Sequence, residues 1–339
     1  MKVSQNPSLQ SFNSFGVQAS AELMITLEKE QDLLSLPPFI PDRDLVLGGG
    51  SNVLFISDVP GTVFHNRLTG KEIVEVHDDH AWIEAGAGEN WHELVRWTLD
   101  QGFTGLENLS LIPGLAGAAP IQNIGAYGVE LAEVLESVTA WDLVQNRWAS
   151  FTLAQCELSY RDSRFKSREP GRYLISSIRL RLDTHFNASL DYSGLRDELT
   201  KAGIEKPSAH DVSDAVVRLR RSKLPDPAVT GNAGSFFKNP VLNRSQAQSL
   251  TDLFPGLPAW PQDGEEIKLS AAWMIEHCGF KGRRIGDAGV SDKHALVLVN
   301  HGSATGKQVF QLAGDIQSAV SNTFGVLLEP EPRIVNFPS

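Results

Sequence analysis

The chain has 339 residues, with 30 basic and 41 acidic side chains, a net charge of −11 and only two cysteines, Cys156 and Cys278. An acidic balance argues against a general nucleic-acid binder, which needs clustered Lys and Arg against phosphates, and two isolated cysteines supply neither a zinc cage nor a disulfide framework. A hydrophobic content of 41% can fill the cores of two or three units; no apolar run approaches the ~18 residues of a membrane span, and the first 25 residues lack an apolar signal segment, so a cytoplasmic globular protein is expected.

The N-terminal third reads as short strands with glycine punctuation. Val53–Ile56 and Thr62–Phe64 flank a turn signal at Asp58-Val59-Pro60-Gly61, and Glu72–Val76 with Ala81–Ala85 flank Asp78-Asp79-His80 as a hairpin. A helix is predicted from Trp91 to Gln101, with Trp91, Leu94, Val95, Thr98 and Leu99 on one face, Asn90 and Glu93 as a capping box and Gly102 as its stop. Val138–Leu143 and Trp148–Phe151 form a second hairpin about Gln145-Asn146-Arg147, and Leu174–Leu182 alternates as a strand. Asp211 is predicted to cap a helix running to about Ser222, ended by Pro225 and Pro227, which also mark a boundary between units. Beyond it come a helix near Leu269–His277 stopped by Gly279, a strand at Ala295–Val299, and a helix near Lys307–Phe324 buried through Val309, Leu312, Ile316, Val320 and Phe324. Strands and helices mix without regular alternation, so the fold class is α+β.

Two segments carry the chemistry. In Leu47-Gly48-Gly49-Gly50-Ser51-Asn52, three glycines allow close approach of the backbone to a ligand, and Ser51 and Asn52 add donors suited to phosphate; a tight strand connection reads equally well. No G-x-G-x-x-G opens a helix and no Gly-Lys-Ser/Thr follows, which disfavours Rossmann and P-loop folds. The run Ile112-Pro113-Gly114-Leu115-Ala116-Gly117-Ala118-Ala119-Pro120-Ile121-Gln122-Asn123-Ile124-Gly125-Ala126-Tyr127-Gly128 consists largely of small residues. It would leave a thin-walled slot faced by backbone amides and by Gln122 and Asn123. Two such cradles suggest a dinucleotide, and without a Rossmann motif a flavin of another fold. Arg218, Arg220, Arg221 and Lys223 form a basic cluster with no acid among them, read as a solvated helix face or an anion site. Lys281, Arg283 and Arg284 read as surface.

Together with Asn13-Ser14-Phe15-Gly16, Tyr160-Arg161-Asp162-Ser163, Gly231–Pro240 and Leu328-Glu329-Pro330-Glu331, these segments occur in the order seen in the UDP-N-acetylenolpyruvoylglucosamine reductase family, which the chain resembles from about residue 10 to 335. Asp191-Tyr192-Ser193-Gly194-Leu195 looks like the tyrosine loop of the family's longer branch. The resemblance implies an α+β flavoprotein of the vanillyl-alcohol-oxidase-like type. Its expected parts are one FAD-binding lobe at 1–70, with the tail 332–339 packing back, a second lobe at 71–223, and a C-terminal substrate-binding domain at 224–331. It further implies bound FAD, NADPH as hydride donor, a UDP-sugar enolpyruvyl ether as substrate in peptidoglycan synthesis, and a monomer in the bacterial cytoplasm with neither nucleic acid nor membrane as partner.

By the same resemblance, Gly48, Gly49, Gly50, Ser51 and Asn52, then Ile112, Pro113, Gly114, Gly117, Ala118, Gln122, Asn123, Gly125, Ala126, Tyr127 and Gly128, hold the cofactor. Ser235 is the proton donor, and Arg161 and Glu331 orient and stabilise the intermediate. Tyr192, Arg220, Lys223 and Asn239 meet the UDP-sugar. Pro332, where an aliphatic residue is usual, and Ala118 with Ala119, where hydroxyl residues or glycine often stand, depart from the family pattern. A related flavin oxidase and a non-catalytic UDP-sugar binder are the alternatives; the Arg161, Ser235 and Glu331 set favours the reductase, because oxidation of a substrate needs no proton donor to a product carbon.

Overall fold

Three groups of strands and helices surround one cleft. The computed structural model describes residues 1–192, 194–262 and 264–337; Ser193 of the expected tyrosine loop, Asp263, and Pro338 and Ser339 of the expected tail lie outside the described residues. The first group is a mixed sheet in the order Lys2–Gln5, Ala21–Leu27, Val59–Asn66, Leu45–Leu47, in which Val59–Asn66 pairs in parallel with both of its neighbours. The turn expected at Asp58–Gly61 is instead the start of this strand. Val59 N donates to Ser20 O at 2.9 Å and Asp58 accepts from Ser20 N at 2.7 Å, so the partner strand extends the chain where local sequence favours bending.

The second group is an antiparallel five-stranded sheet in the order Arg147–Thr152, Leu135–Asp142, Tyr173–Asp183, His80–Gly86, Lys71–Val76. Both predicted hairpins are present in it. Tyr173–Asp183 lies at its centre with Leu174 to Ile178 all buried, because successive side chains enter different cores. Leu174 joins Ile25, Leu27 and Phe64 of the first sheet, whereas Ile175 and Ile178 pack with Trp91, Leu94 and Val95 of the helix Trp91–Asp100. That helix has the predicted buried face; Asn90 Oδ1 accepts from Glu93 N at 3.1 Å, without a return bond to the Glu93 carboxylate among the described residues.

The helix Ala209–Lys223 starts earlier than predicted. Ser208 is its N-cap and Asp211 the third-position partner: Ser208 Oγ accepts from Asp211 N and Asp211 Oδ2 accepts from Ser208 N at 2.8 Å. Leu269 likewise ends the strand Glu266–Leu269, and Ser270 caps the helix Ala271–His277. The third group contains the sheet Gly231–Ser235, Val297–Asn300, Ala288–Val290, Arg284–Ile285 and the helix Gly306–Phe324, capped by Thr305 with Gln308.

The first and third groups share a core: Phe15, Phe55 and Val63 pack in one cluster with Phe236, Phe237, Leu298 and Ile316. Two long-range connections fix the cleft. Arg333–Val335 pairs in parallel with Val53–Phe55. At the other side Ser14 N donates to Gly50 O and Asn232 N to Ser14 O, each at 3.0 Å, while Asn300 Nδ2 holds Phe15 O at 2.9 Å. The short segment at 13–16 therefore joins the glycine loop to the strand that ends in Ser235.

Candidate active site

A cavity of about 460 Å³ lies where the three groups meet, and its walls come from segments nearly 300 residues apart. Gly48, Gly49, Gly50, Ser51 and Asn52 form one wall. Gly50 is a structural requirement there. Its φ is +63°, and a Cβ would stand 1.9 Å from Phe12 O, so the close approach is to the protein's own backbone. Among the described residues, no main-chain carbonyl takes the amides of Gly49, Gly50, Ser51 or Asn52.

Ile112, Pro113, Gly117, Ala118, Gln122 and Gly125 line the opposite wall. Here the expectation of many free amides needs correction. Ala116 N donates to Glu89 O and Gly117 N to Ala87 O, both at 2.9 Å, and a Cβ on Gly117 would meet Ala87 Cβ at 2.4 Å. Its small residues serve tight packing against Ala87 as well as the slot. Asn123 does not face the cavity: Nδ2 donates to Glu130 Oε2 at 2.7 Å and to Ser159 O, and Oδ1 accepts from Ala132 N. Gly114, Ala126, Tyr127 and Gly128 are also outside the lining. Tyr127 packs edge-on to Tyr192 at 4.8 Å, and burial pushes its hydroxyl up to about 12.

Arg161, Ser235 and Glu331 do converge on this cavity. Arg161 has φ +55°, rare for a residue with a side chain; its Nη2 donates to Gly125 O at 2.7 Å and its Nε lies 3.3 Å from Glu331 Oε1. Glu331 is held by its own backbone, since Glu331 N donates to Phe236 O at 2.8 Å, and Pro332 is buried behind it. Burial raises the Glu331 carboxyl above its ordinary range, while Arg161, Lys166 and Lys238 oppose the shift. Gln122 Nε2 reaches Glu331 Oε1 at 3.4 Å, and Asn52 donates to Gln122 Oε1, so two residues of the expected cofactor set touch the carboxylate network directly. Ser235 ends the strand Gly231–Ser235 at a break in its pairing with Val297–Asn300.

The basic cluster divides. Arg220 lines the cavity, donating Nε to Leu111 O at 3.1 Å, and burial lowers its pKa. Lys223 lies outside the lining with its ammonium 5.8 Å from the Tyr192 ring, and Arg218 approaches Glu198 at 3.8 Å. Asn239 also lies outside, its Oδ1 accepting from Ala271 N. Lys281 pairs with Glu276 and Arg284 with Asp287, while Arg283 lies over the Phe280 ring. Two charged cavity residues escaped the sequence reading. Lys166 and Arg333 sit in stretches that look like ordinary exposed charge, and only the fold brings them to the cavity, Arg333 at its exposed rim. Neither they nor Arg220 have a carboxylate partner within 4.0 Å among the described residues.

The chain compares closely with known proteins. Residues 226–335 match the C-terminal domain model of UDP-N-acetylenolpyruvoylglucosamine reductase, and residues 23–146 match an FAD binding domain. The reductase of that name from Xanthomonas oryzae pv. oryzae (strain KACC10331 / KXO85) is 48% identical over 339 residues, covering 98% of this chain and 99% of the relative. The chain belongs to the UDP-N-acetylenolpyruvoylglucosamine reductase family. A second member, from Bordetella pertussis, is 47% identical over 98% of this chain and 95% of its own length. The crystal structure of the reductase from Thermus caldophilus superposes with a TM-score of 0.67 at 26% identity, covering 99% of this chain and 100% of that one. Membership agrees with the mixed α+β architecture and makes the cavity the natural place for the family's chemistry.

Proposed function

We propose that this chain is an FAD-dependent reductase that uses NADPH to convert the enolpyruvyl ether of UDP-N-acetylglucosamine to the lactyl ether, UDP-N-acetylmuramate, for peptidoglycan synthesis. The observation that carries the reading is the convergence, in one cavity, of a loop with untaken amides and of the Arg161, Ser235 and Glu331 corner. The cavity fits the cofactor. The Gly49–Asn52 amides with Arg333 suit a diphosphate; Arg220, expected at the UDP-sugar, lines the same cavity and is assigned here to the cofactor's diphosphate instead, and the apolar slot along Ile112, Ala118 and Ile121 suits a flat ring. When bound, FAD supplies the two-electron relay between nicotinamide and substrate.

The residues of the chain supply the rest. Hydride addition to the terminal enolpyruvyl carbon breaks the C=C π bond and leaves its electron pair on the adjacent carbon, delocalised into the carboxylate as an enolate; a proton on that carbon completes the lactyl ether. Arg161 carries the positive charge that stabilises the enolate, Ser235 delivers the proton, and Glu331, whose carboxyl burial raises, orients Arg161. A serine hydroxyl is a weak acid, so the step calls for a charged neighbour, and Arg161 and Glu331 line the same cavity. Lys223 and Tyr192 meet the UDP end beyond the cavity, joined by Asn239. On this reading the chain acts as a monomer in the bacterial cytoplasm. Incubation with FAD, NADPH and the UDP-enolpyruvyl sugar tests the reading: NADPH oxidation matched by a product two hydrogens heavier is expected, and its absence from flavin-loaded protein would overturn it.

A further inference from the structure

Lys166 projects into the same cavity from the turn Arg164–Arg168, and the reaction as proposed leaves it unused. The turn is anchored. Ser163 Oγ accepts from Phe165 N at 3.1 Å and Lys166 N at 3.3 Å and donates to Ile121 O at 2.6 Å, with Phe165 buried beneath. From this base the ammonium donates to Arg161 O at 3.2 Å and to Glu331 O at 3.3 Å. It thus bridges the main chains of two residues that are 170 positions apart in sequence and whose side chains form the ion pair at the reaction corner. One of the two carbonyls belongs to Arg161, whose left-handed backbone needs an external hold.

We propose that Lys166 is a positioning residue for the Arg161–Glu331 pair, tying their main chains together and adding positive charge beside the Glu331 carboxylate. The kinetic part of this proposal rests on the reductase reading; the structural part does not. The groups facing Glu331 are Arg161, Lys166, Lys238 and Tyr160, with Gln122 on Oε1. Those facing Lys166 are Lys238, Glu331, Asp162 and Arg161. Lys238 is paired with Glu329 at 3.2 Å and Arg161 with Glu331 itself, whereas Lys166 meets Glu331 through its main-chain carbonyl and has no carboxylate within 4.0 Å among the described residues. Burial, with repulsion from Lys238, lowers the Lys166 pKa, and the two carbonyl acceptors work against that shift by holding the ammonium form.

The test uses the FAD-loaded full chain as wild type, Lys166→Met and Lys166→Arg. Carboxyl-¹³C-glutamate labelling follows the Glu331 titration, with its resonance assigned by loss in Glu331→Gln. In parallel, reduced enzyme is mixed anaerobically with the UDP-enolpyruvyl sugar. In Lys166→Met the Glu331 midpoint should rise by about half a pH unit or more. Flavin reoxidation should slow by about tenfold or more, with NADPH reduction of the flavin unchanged; Lys166→Arg should restore most of both. An unmoved midpoint, or equal loss of folding and FAD in the Met and Arg variants, overturns the proposal. If wild type fails to react with the sugar but the midpoint moves, the reductase reading falls and the role of Lys166 stands.

Discussion

The glycine loop at Gly48–Asn52 and the charged corner at Arg161, Ser235 and Glu331 share one cavity but are assembled in different ways. The loop is contiguous: a single turn between Leu45–Leu47 and Val53–Phe55 presents its amides, and its chief constraint is the backbone of Phe12. The corner is composite. Arg161 and Lys166 come from the second sheet's side, Ser235 from the strand Gly231–Ser235, and Glu331 from the segment that precedes Arg333–Val335. Contiguous sites fail by local distortion, whereas composite ones fail when any long-range contact slips. Binding of the cofactor and protonation of the product should therefore be separable by mutation.

Changes in the loop should have the largest effect. Gly50→Ala places a Cβ on Phe12 O at a positive φ, so the loop must move; stability should fall by about 3 kcal/mol and bound flavin should be lost, as read by denaturant unfolding and absorbance. A normally folded, yellow variant would contradict the close approach. Next in size, Glu331→Gln preserves shape but removes the acid. FAD content should stay normal while flavin reoxidation by the enolpyruvyl sugar slows by about a hundredfold. Joint loss of both properties would erase the distinction between the two regions.

A smaller effect sharpens the division of the basic cluster. Arg220→Gln should weaken FAD binding by about tenfold, since its guanidinium lines the cavity without an acid partner among the described residues. Lys223→Gln should leave FAD binding alone and raise the KM for the UDP-sugar, more at low than at high salt. Titration of FAD into apoprotein and salt-dependent kinetics separate the two. Glu107, 3% exposed, lies outside both regions, and burial raises its carboxyl. With the folded value above the unfolded one, the stability linked to its proton is full below the unfolded pKa and is lost as pH rises through the folded value. Glu107→Gln, which stays neutral, should therefore be more stable than wild type at pH 8, by up to about 1 kcal/mol, with the gain vanishing near pH 4 in thermal unfolding.

The same contrast explains what was legible in the sequence. The helices at Trp91–Asp100 and Gly306–Phe324 show in their periodicity because one face packs and the other is wet. The glycine loop shows because its residues are adjacent. Motif order exposed the corner, but not its supports. Lys166 and Arg333 look like ordinary surface charge until Ser163 folds the turn onto Ile121 and the return strand pairs with Val53–Phe55. Nor could spacing reveal that Asn123 is bound by Glu130 and Ser159, or that Arg220 and Lys223, one helical turn apart, face different surroundings. The start of the strand Val59–Asn66, ahead of the expected run Thr62–Phe64, was hidden by Pro60 and Gly61, whose local preference for turning yields to parallel pairing on two sides.

Separation of the two regions is the central claim, and Ser235→Ala tests it most directly. Flavin-loaded variant and wild type are reduced anaerobically with NADPH, then mixed with the UDP-enolpyruvyl sugar while flavin absorbance is followed. The account predicts normal reduction in both proteins and, in the variant alone, reoxidation slowed by about a thousandfold for want of the proton donor. Reoxidation at the wild-type rate, or failure of both steps together, would contradict it.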